Sequence, residues 1–321
     1  MNNTKIYNSN FPHNMAMPRL LDTICSNNHF VANGWAYETA EKYLYEYDSK
    51  SLEIGFYNHY TDAALSKRVK RVLELPTSYG CPMKCAYCAS SWISEASTLS
   101  EEVLLAITDE VLKRNSVKYD DNLLISLTGA GDAFFTLDLI LKYTQNVTEQ
   151  HPNFCFTVSS CNWTKEMLSK IEDVSYKIAF RNIQSTYISF DQSVATMIIP
   201  GLRCTGFDYS LFVEHIKNSR LDNWRINYLL LHSVNDDDDS FERFVQIVNP
   251  IREKVLVRIS SLNETIASTS SGLHPALLER SVALQNKLQS NGTNAYLFHS
   301  DINDNMSCGQ LILERKHGRH M

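Results

Sequence analysis

Three thiols fall within eight residues in the stretch Cys81-Pro-Met-Lys-Cys85-Ala-Tyr-Cys88. Thiolates are soft ligands suited to iron–sulfur clusters, and a four-iron cluster ordinarily takes four of them. Three on one loop therefore describe a [4Fe-4S] site in which one iron is left open to a ligand from outside the protein. Other chemistry is open to the same residues. Cys85-x-x-Cys88 alone could be a redox pair, and the three with a distant fourth could hold structural zinc. Zinc sites usually pair two Cys-x-x-Cys knuckles, and the sequence has no second knuckle. A disulfide framework does not suit a long chain whose other cysteines are scattered.

The elements that must position this loop read as βα units. From residue 71 onward short apolar runs alternate with helical patterns, the signal for a parallel sheet. Strands are expected at 71–77, 122–128, 154–160, 186–191, 225–232 and 254–261, each rich in Val, Ile, Leu, Phe and Tyr as in strands covered on both faces. Thr98-x-x-Glu101 reads as a capping box opening a helix with Leu104, Ile107 and Val111 on one face. Further helices are expected at 137–148, 164–174, 209–219, 240–248 and 275–290, the last ended by Asn291-Gly292. Six such units predict an α/β fold, an open, partial (β/α)6 barrel with its reactive site at the carboxyl ends of the strands. The cysteine loop follows the first strand and so falls at that end. Residues 1–70 lack the pattern, and their aromatic-rich stretch 35–60 is expected to form a small appendage packed on the barrel. The organisation predicted is an appendage at 1–70, a core at 71–300 and a tail at 301–321.

With 321 residues, 44% hydrophobic and 21% charged, the chain has the composition of an ordinary globular protein. No apolar run approaches the ~20 residues of a membrane span, and the polar amino terminus has no secretory core, so a cytoplasmic protein is expected. The formal net charge of −6 gives no global basic field for nucleic acid. The basic runs at 67–71 and 315–320 read as solvated faces.

The cysteine spacing, with Tyr87 before the third thiol, resembles the signature of the radical S-adenosylmethionine (SAM) superfamily. There the open iron chelates the amino and carboxylate groups of SAM, and an electron from the cluster cleaves the sulfonium to a 5′-deoxyadenosyl radical. Polar residues at the expected strand ends could hold SAM: Gly131 and Asp132 of Gly129-Ala-Gly-Asp, Ser159, Ser189, Asp191 and Asn263. A carboxylate at 132 could accept hydrogen bonds from the SAM ammonium.

In order along the chain, further pieces resemble the RlmN/Cfr family of radical SAM methyltransferases, which methylate adenine carbons in RNA. They are Tyr79-Gly80-Cys81, Gly129–Asp132, Ser189-Phe190-Asp191, the segment 228–236 and the tail Ser307-Cys308-Gly309-Gln310-Leu311. The resemblance implies that Cys308 carries a methyl group to an electron-poor ring carbon of an adenine-like ring, in RNA, a nucleotide or another small molecule. It also implies SAM as co-substrate and a reductant such as flavodoxin or ferredoxin. Three positions depart from the pattern. Glu74 stands where the family has a second, resolving cysteine, and Asp132 and Asp191 replace a glutamate and a histidine. Glu74 could act as a base in an altered route, or Cys25, Cys155, Cys161 or Cys204 could supply the thiol, Cys161 being best placed. The alternative expectation is a radical enzyme that abstracts hydrogen or rearranges a small molecule or peptide without methylating it.

Overall fold

Three antiparallel strands at the amino-terminal side turn the expected open sheet into a closed one. The computed structural model describes residues 17–93, 96–206, 208–300 and 310–316. It begins with a meander, β1 (Arg19–Val31), β2 (Tyr37–Tyr47) and β3 (Lys50–Tyr60). Asp48 and Ser49, both at positive φ (50° and 59°), form the two-residue turn between β2 and β3 whose twist suits a hairpin. The parallel strands follow, beginning with β4 (Arg68–Glu74). A separate two-stranded ribbon of β5 (Ser78–Tyr79) and β6 (Ser97–Thr98) brackets the cysteine loop. Helices α1 (Glu101–Arg114), α2 (Ala133–Gln150) and α3 (Lys165–Val174) alternate with β7 (Leu123–Leu127), β8 (Phe154–Ser160) and β9 (Phe180–Tyr187). Three helices, α4 (Gln192–Ile198), α5 (Leu202–Thr205) and α6 (Tyr209–Asn218), lead to β10 (Trp224–Leu230). Then come α7 (Asp238–Val248), β11 (Val255–Ser261), α8 (Ile266–Ser270), α9 (Leu278–Ser290), β12 (Asn294–Ser300) and α10 (Gln310–Lys316).

The sheet closes in the order β1-β12-β11-β10-β9-β8-β7-β4-β3-β2. β3 pairs with β4 from Gly55↔Glu74 to Tyr60↔Arg68, and β1 meets β12 at Phe30↔Ser300 and Val31↔His299. The aromatic-rich segment is thus barrel wall rather than an appendage on an open sheet. Its Tyr43, Tyr45, Leu52, Ile54 and Phe56 belong to the main core with α1, and Tyr43 accepts a hydrogen bond from Asn115 Nδ2 at 2.8 Å. The helices cover the outer face, as the βα alternation predicts.

Three further details differ from expectation. β12 is a seventh parallel strand, and β9 starts six residues before the expected strand because it alternates polar and apolar residues. The cap of α1 is Ser100, whose side chain accepts from the Val103 N–H, while Thr98 lies in β6. Among the described residues no helix is long and apolar enough to cross a membrane.

The end of the chain is tied back to the meander. Gln310, Leu311, Ile312 and Leu313 of α10 are buried, and Ile312 joins Leu44 and Ile93 in a small apolar cluster. The Ile312 N–H donates to Glu53 Oε1 at 2.8 Å, and Lys42 Nζ lies 3.5 Å from Glu53 Oε2, both side chains almost fully buried. Breaking a buried ion pair by removing one partner costs about 3–5 kcal/mol. Glu53→Ala should lose about that much stability in urea unfolding and expose α10 to proteolysis, whereas Lys42→Met with Glu53→Leu should recover most of the stability but not the tail contact.

Candidate active site

Inward positions along the parallel strands repeat every second residue and are mostly polar. They include Ser126 and Thr128 on β7 and beyond it, Thr157 and Ser159 on β8, and Asn182 and Gln184 on β9. Such groups resist being packed dry, and the barrel encloses a cavity of about 850 Å³ instead of a filled core. Sequence reading took these strands as apolar on both faces. The period-2 pattern Asn182-x-Gln184-x-Thr186 was the signal for a polar lumen.

The cysteine loop closes one end of this lumen, at the carboxyl ends of the strands. Cys81, Cys85 and Cys88 all face it. The loop is held by the backbone of its neighbours: the Ala86 N–H donates to the Ile198 carbonyl and the Gly201 N–H to the Met83 carbonyl, each at 2.8 Å. Lys84, at φ 53°, turns its ammonium back to the carbonyls of Ser91 and Ile93. Cys81, Met83 and Cys85 are buried in an apolar cluster with Ile188, Ile198 and Leu229. Burial, then the neighbouring Cys85 thiol, pushes Cys81 and Cys88 up, Cys88 to about 11. Soft donors on one loop, facing one cavity and costly to ionise without a cation beside them, fit an iron–sulfur cluster. Among the described residues no group of three or more His, Cys, Asp or Glu is gathered tightly enough for one metal ion. A cluster spreads its irons and asks one thiolate of each, so convergence on a point is not required.

The structure adds a fourth thiol. Cys161, just past β8, is buried in the same apolar cluster and faces the lumen. A hydrogen bond with Cys85 and burial push its thiol well up. Cys161, expected to be the best placed of the other thiols, meets Cys85 across 76 residues of sequence because β4 and β8 flank β7 and their carboxyl ends converge on the loop.

The glycine turn after β7 serves the loop directly. The Gly129 N–H donates to the Leu75 carbonyl (3.1 Å), and the Ala130 carbonyl accepts from the N–H groups of Thr77 and Ser78. A Cβ on Gly129 would lie 2.8 Å from the Leu75 oxygen. Gly131 has φ +118°, and a Cβ there would lie 2.3 Å from Thr77 Oγ1. The glycines therefore let the backbone approach the segment that delivers Cys81. Asp132 caps α2: Oδ1 accepts from the Phe134 N–H (2.8 Å) and Ser160 Oγ (2.6 Å), and Oδ2 from the Cys161 N–H (2.8 Å). Burial pushes its carboxyl up. The Cys161 thiol also donates to it, so about four acceptor positions are engaged and a ligand's ammonium would have to displace one of these donors.

The other expected contacts divide. Ser159 and Asn263 line the lumen, and Ser159 accepts a hydrogen bond from Gln184 at 3.2 Å. Ser189 and Asp191 are not among the residues that line it. Ser189 Oγ accepts from the Asp191 N–H, and Asp191 caps α4 through Ser193 and Val194, so both support the helix that cradles the cysteine loop. Glu74 faces the lumen and also a second, small cavity shared with Gly80, Gly129 and Ile312. Cys308 lies outside the described residues.

Positive-φ strain and a clash with the Thr77 and Ser78 hydroxyls make Gly131 the sharpest test of the loop's support. Gly131→Ala should cost about 1–3 kcal/mol in denaturant unfolding and lower the iron bound per chain after anaerobic reconstitution. Ala130→Gly should do neither to a comparable degree.

No family model matches the chain. It is 24% identical over 253 residues to a protein of Prochlorococcus marinus named "probable dual-specificity RNA methyltransferase RlmN", a match over 74% of this chain and 68% of that one. The dual-specificity RNA methyltransferase RlmN of Sulfurimonas denitrificans is 22% identical over 228 residues, 67% of this chain and 62% of its own length. The chain thus spans about two thirds of the relatives it matches. A radical SAM methyltransferase from Sphaerobacter thermophilus shares the fold, with a TM-score of 0.70 at 16% identity over 91% of this chain and 80% of that one. The barrel is the radical SAM fold, and in sequence the chain is similar to the RlmN radical SAM methyltransferases.

Proposed function

We propose that the chain transfers a methyl group, carried on Cys308, to an sp² carbon of an adenine-like ring. The observation that carries this reading is the anchoring of α10. That helix packs on β3 and on the Ala89–Trp92 turn directly after Cys88. Cys308 stands two residues before it in the sequence. A helix fixed beside the cysteine loop, just after Cys308 in sequence, suits a thiol that must meet both SAM and substrate.

Cys81, Cys85 and Cys88 would hold the cluster, and Asp132, Ser159 and Asn263 would contact SAM. When bound, cluster and SAM supply the radical that takes a hydrogen atom from the carrier methyl. The chain's own residues do the rest. Glu74, facing the lumen, accepts the proton that the ring carbon must lose once the carrier carbon has bonded to it. The odd electron of that adduct passes back to the one-electron carrier that serves the cluster. Cys161 then attacks the Cys308 sulfur: a sulfur–sulfur bond forms, the sulfur–carbon bond breaks, and the carbon keeps the electron pair and takes a proton. An external thiol reduces the disulfide, and a one-electron donor of the flavodoxin or ferredoxin type serves the cluster. Glu74 at the resolving position favours one other reading, SAM cleavage with hydrogen abstraction and no methyl transfer.

Mass spectrometry of the anaerobically purified protein should find the Cys308 peptide heavier by one methylene. Cys308→Ala should still cleave SAM but form no methylated product, and full activity in that variant would hand the function to the non-methylating reading. Cys161→Ala should trap a protein–substrate crosslink, whereas Cys25→Ala and Cys204→Ala, exposed elsewhere, should not. Asp132→Asn should weaken SAM binding roughly ten- to hundredfold, the worth of a charge-assisted hydrogen bond, with the iron content unchanged.

A further inference from the structure

Four cations line the lumen toward the end remote from the cysteine loop: Lys70 of β4, Arg181 of β9, Arg225 of β10 and Arg258 of β11. The first three stand at the second or third residue of their strands, and Arg258 at the fourth. Among the described residues none of the four makes an ion pair. Arg225 reaches only Gln184 Oε1, at 3.5 Å, and its Nε has no hydrogen-bond partner. Arg258 donates to Ser260 Oγ at 2.9 Å and lies over the Phe298 ring at 4.3 Å.

The cations act on one another. Burial, then repulsion from Arg225 and Arg258, pulls Lys70 down to about 8, and burial pulls Arg225 down to about 10 with Arg258 and Arg181 adding to it. Two carboxylates share this part of the lining, Asp222 and Glu38, but Glu38 is held by Asn28 and His59 and neither pairs with the four cations. The cations are therefore suited to a counter-charge from outside. Beside them the wall is aromatic. Trp35 stacks on His59 at 3.9 Å and meets Phe298 edge-on at 6.1 Å.

We propose that the lumen binds a free phosphorylated small molecule of about nucleotide size, with its phosphate among Lys70, Arg181, Arg225 and Arg258 and its ring toward the cysteine loop. Guanidinium forks and an ammonium are the groups that bind phosphate best. A cavity of about 850 Å³ has the size of a small-molecule site. From Lys70 to Glu74 the strand rises about 13 Å, room for a ring and sugar above the phosphate. A free ligand suits a closed barrel, whereas a continuous RNA chain would have to enter and leave it. The ring's fate rests on the methyl transfer proposed above; the phosphate site does not.

The test is isothermal titration of the anaerobically purified full chain with AMP and with adenosine, S-adenosylhomocysteine being present in excess to fill the SAM site. AMP should bind at least tenfold more tightly than adenosine. Arg225→Gln and Lys70→Gln should each weaken AMP tenfold or more, yet raise the melting temperature of the ligand-free protein by relieving repulsion. Cations serving only the fold would give the reverse, a lower melting temperature with AMP affinity unchanged, and that result overturns the proposal. So does equal binding of adenosine and AMP, or tighter binding of a short RNA oligonucleotide than of AMP. If AMP binds as expected but the Cys308 peptide carries no methyl, the phosphate site stands and the methyl carrier falls.

Discussion

Side chains that need hydrogen bonds point inward from the parallel strands, and this keeps the barrel open at its centre. Leucine and valine at the same positions would fill the lumen in layers, as barrels with packed interiors do. Here Ser126, Thr157, Asn182 and Gln184 exclude that solution, and the interior becomes a chamber. The outer faces of the same strands carry the apolar core instead, with Ile125, Phe156, Ile183 and Ile226 fully buried under the helices. One alternation of residue types therefore decides both where the fold gets its stability and where a ligand can go.

The cysteine loop was legible from residues 81–88 alone, because thiol spacing is a local property. The six βα units were legible for the same reason, since each carries its own period. Closure was not. It depends on Phe30 and Val31 meeting Ser300 and His299, a pairing between chain ends that no window of sequence contains. The same holds for the contact of Cys161 with Cys85 and for the cation group. Lys70, Arg181, Arg225 and Arg258 are scattered over 189 positions, and each alone reads as an ordinary charged residue. The sequence marks the Gly129–Gly131 turn as a place where backbone can come close to a ligand, and both glycines line the lumen. Their tight approach is to Leu75 and Thr77, and only the fold shows which backbone comes near.

Charge is distributed against the average of the chain. The formal net charge is −6, yet the chamber's far end is cationic. A field averaged over the whole molecule repels polyanions at long range, while the local field inside attracts a small anion once it has entered. Net charge was therefore a poor guide to what this protein could bind. Asp132 shows the same principle on a smaller scale: an acidic side chain beside the thiols is committed to Phe134, Ser160 and Cys161, and it acts as a structural bracket as much as a charge.

The closing seam is the shortest joint in the wall among the described residues. Among these residues β1 and β12 are matched at two residue pairs, against three for β4 and β7 and ten for β1 and β2. Parting those two frees the meander from the last parallel strand and leaves the remaining joints of the ten-stranded wall intact. The barrel thus has a built-in line of least resistance, and amide protons there should exchange with solvent through partial opening long before the molecule unfolds.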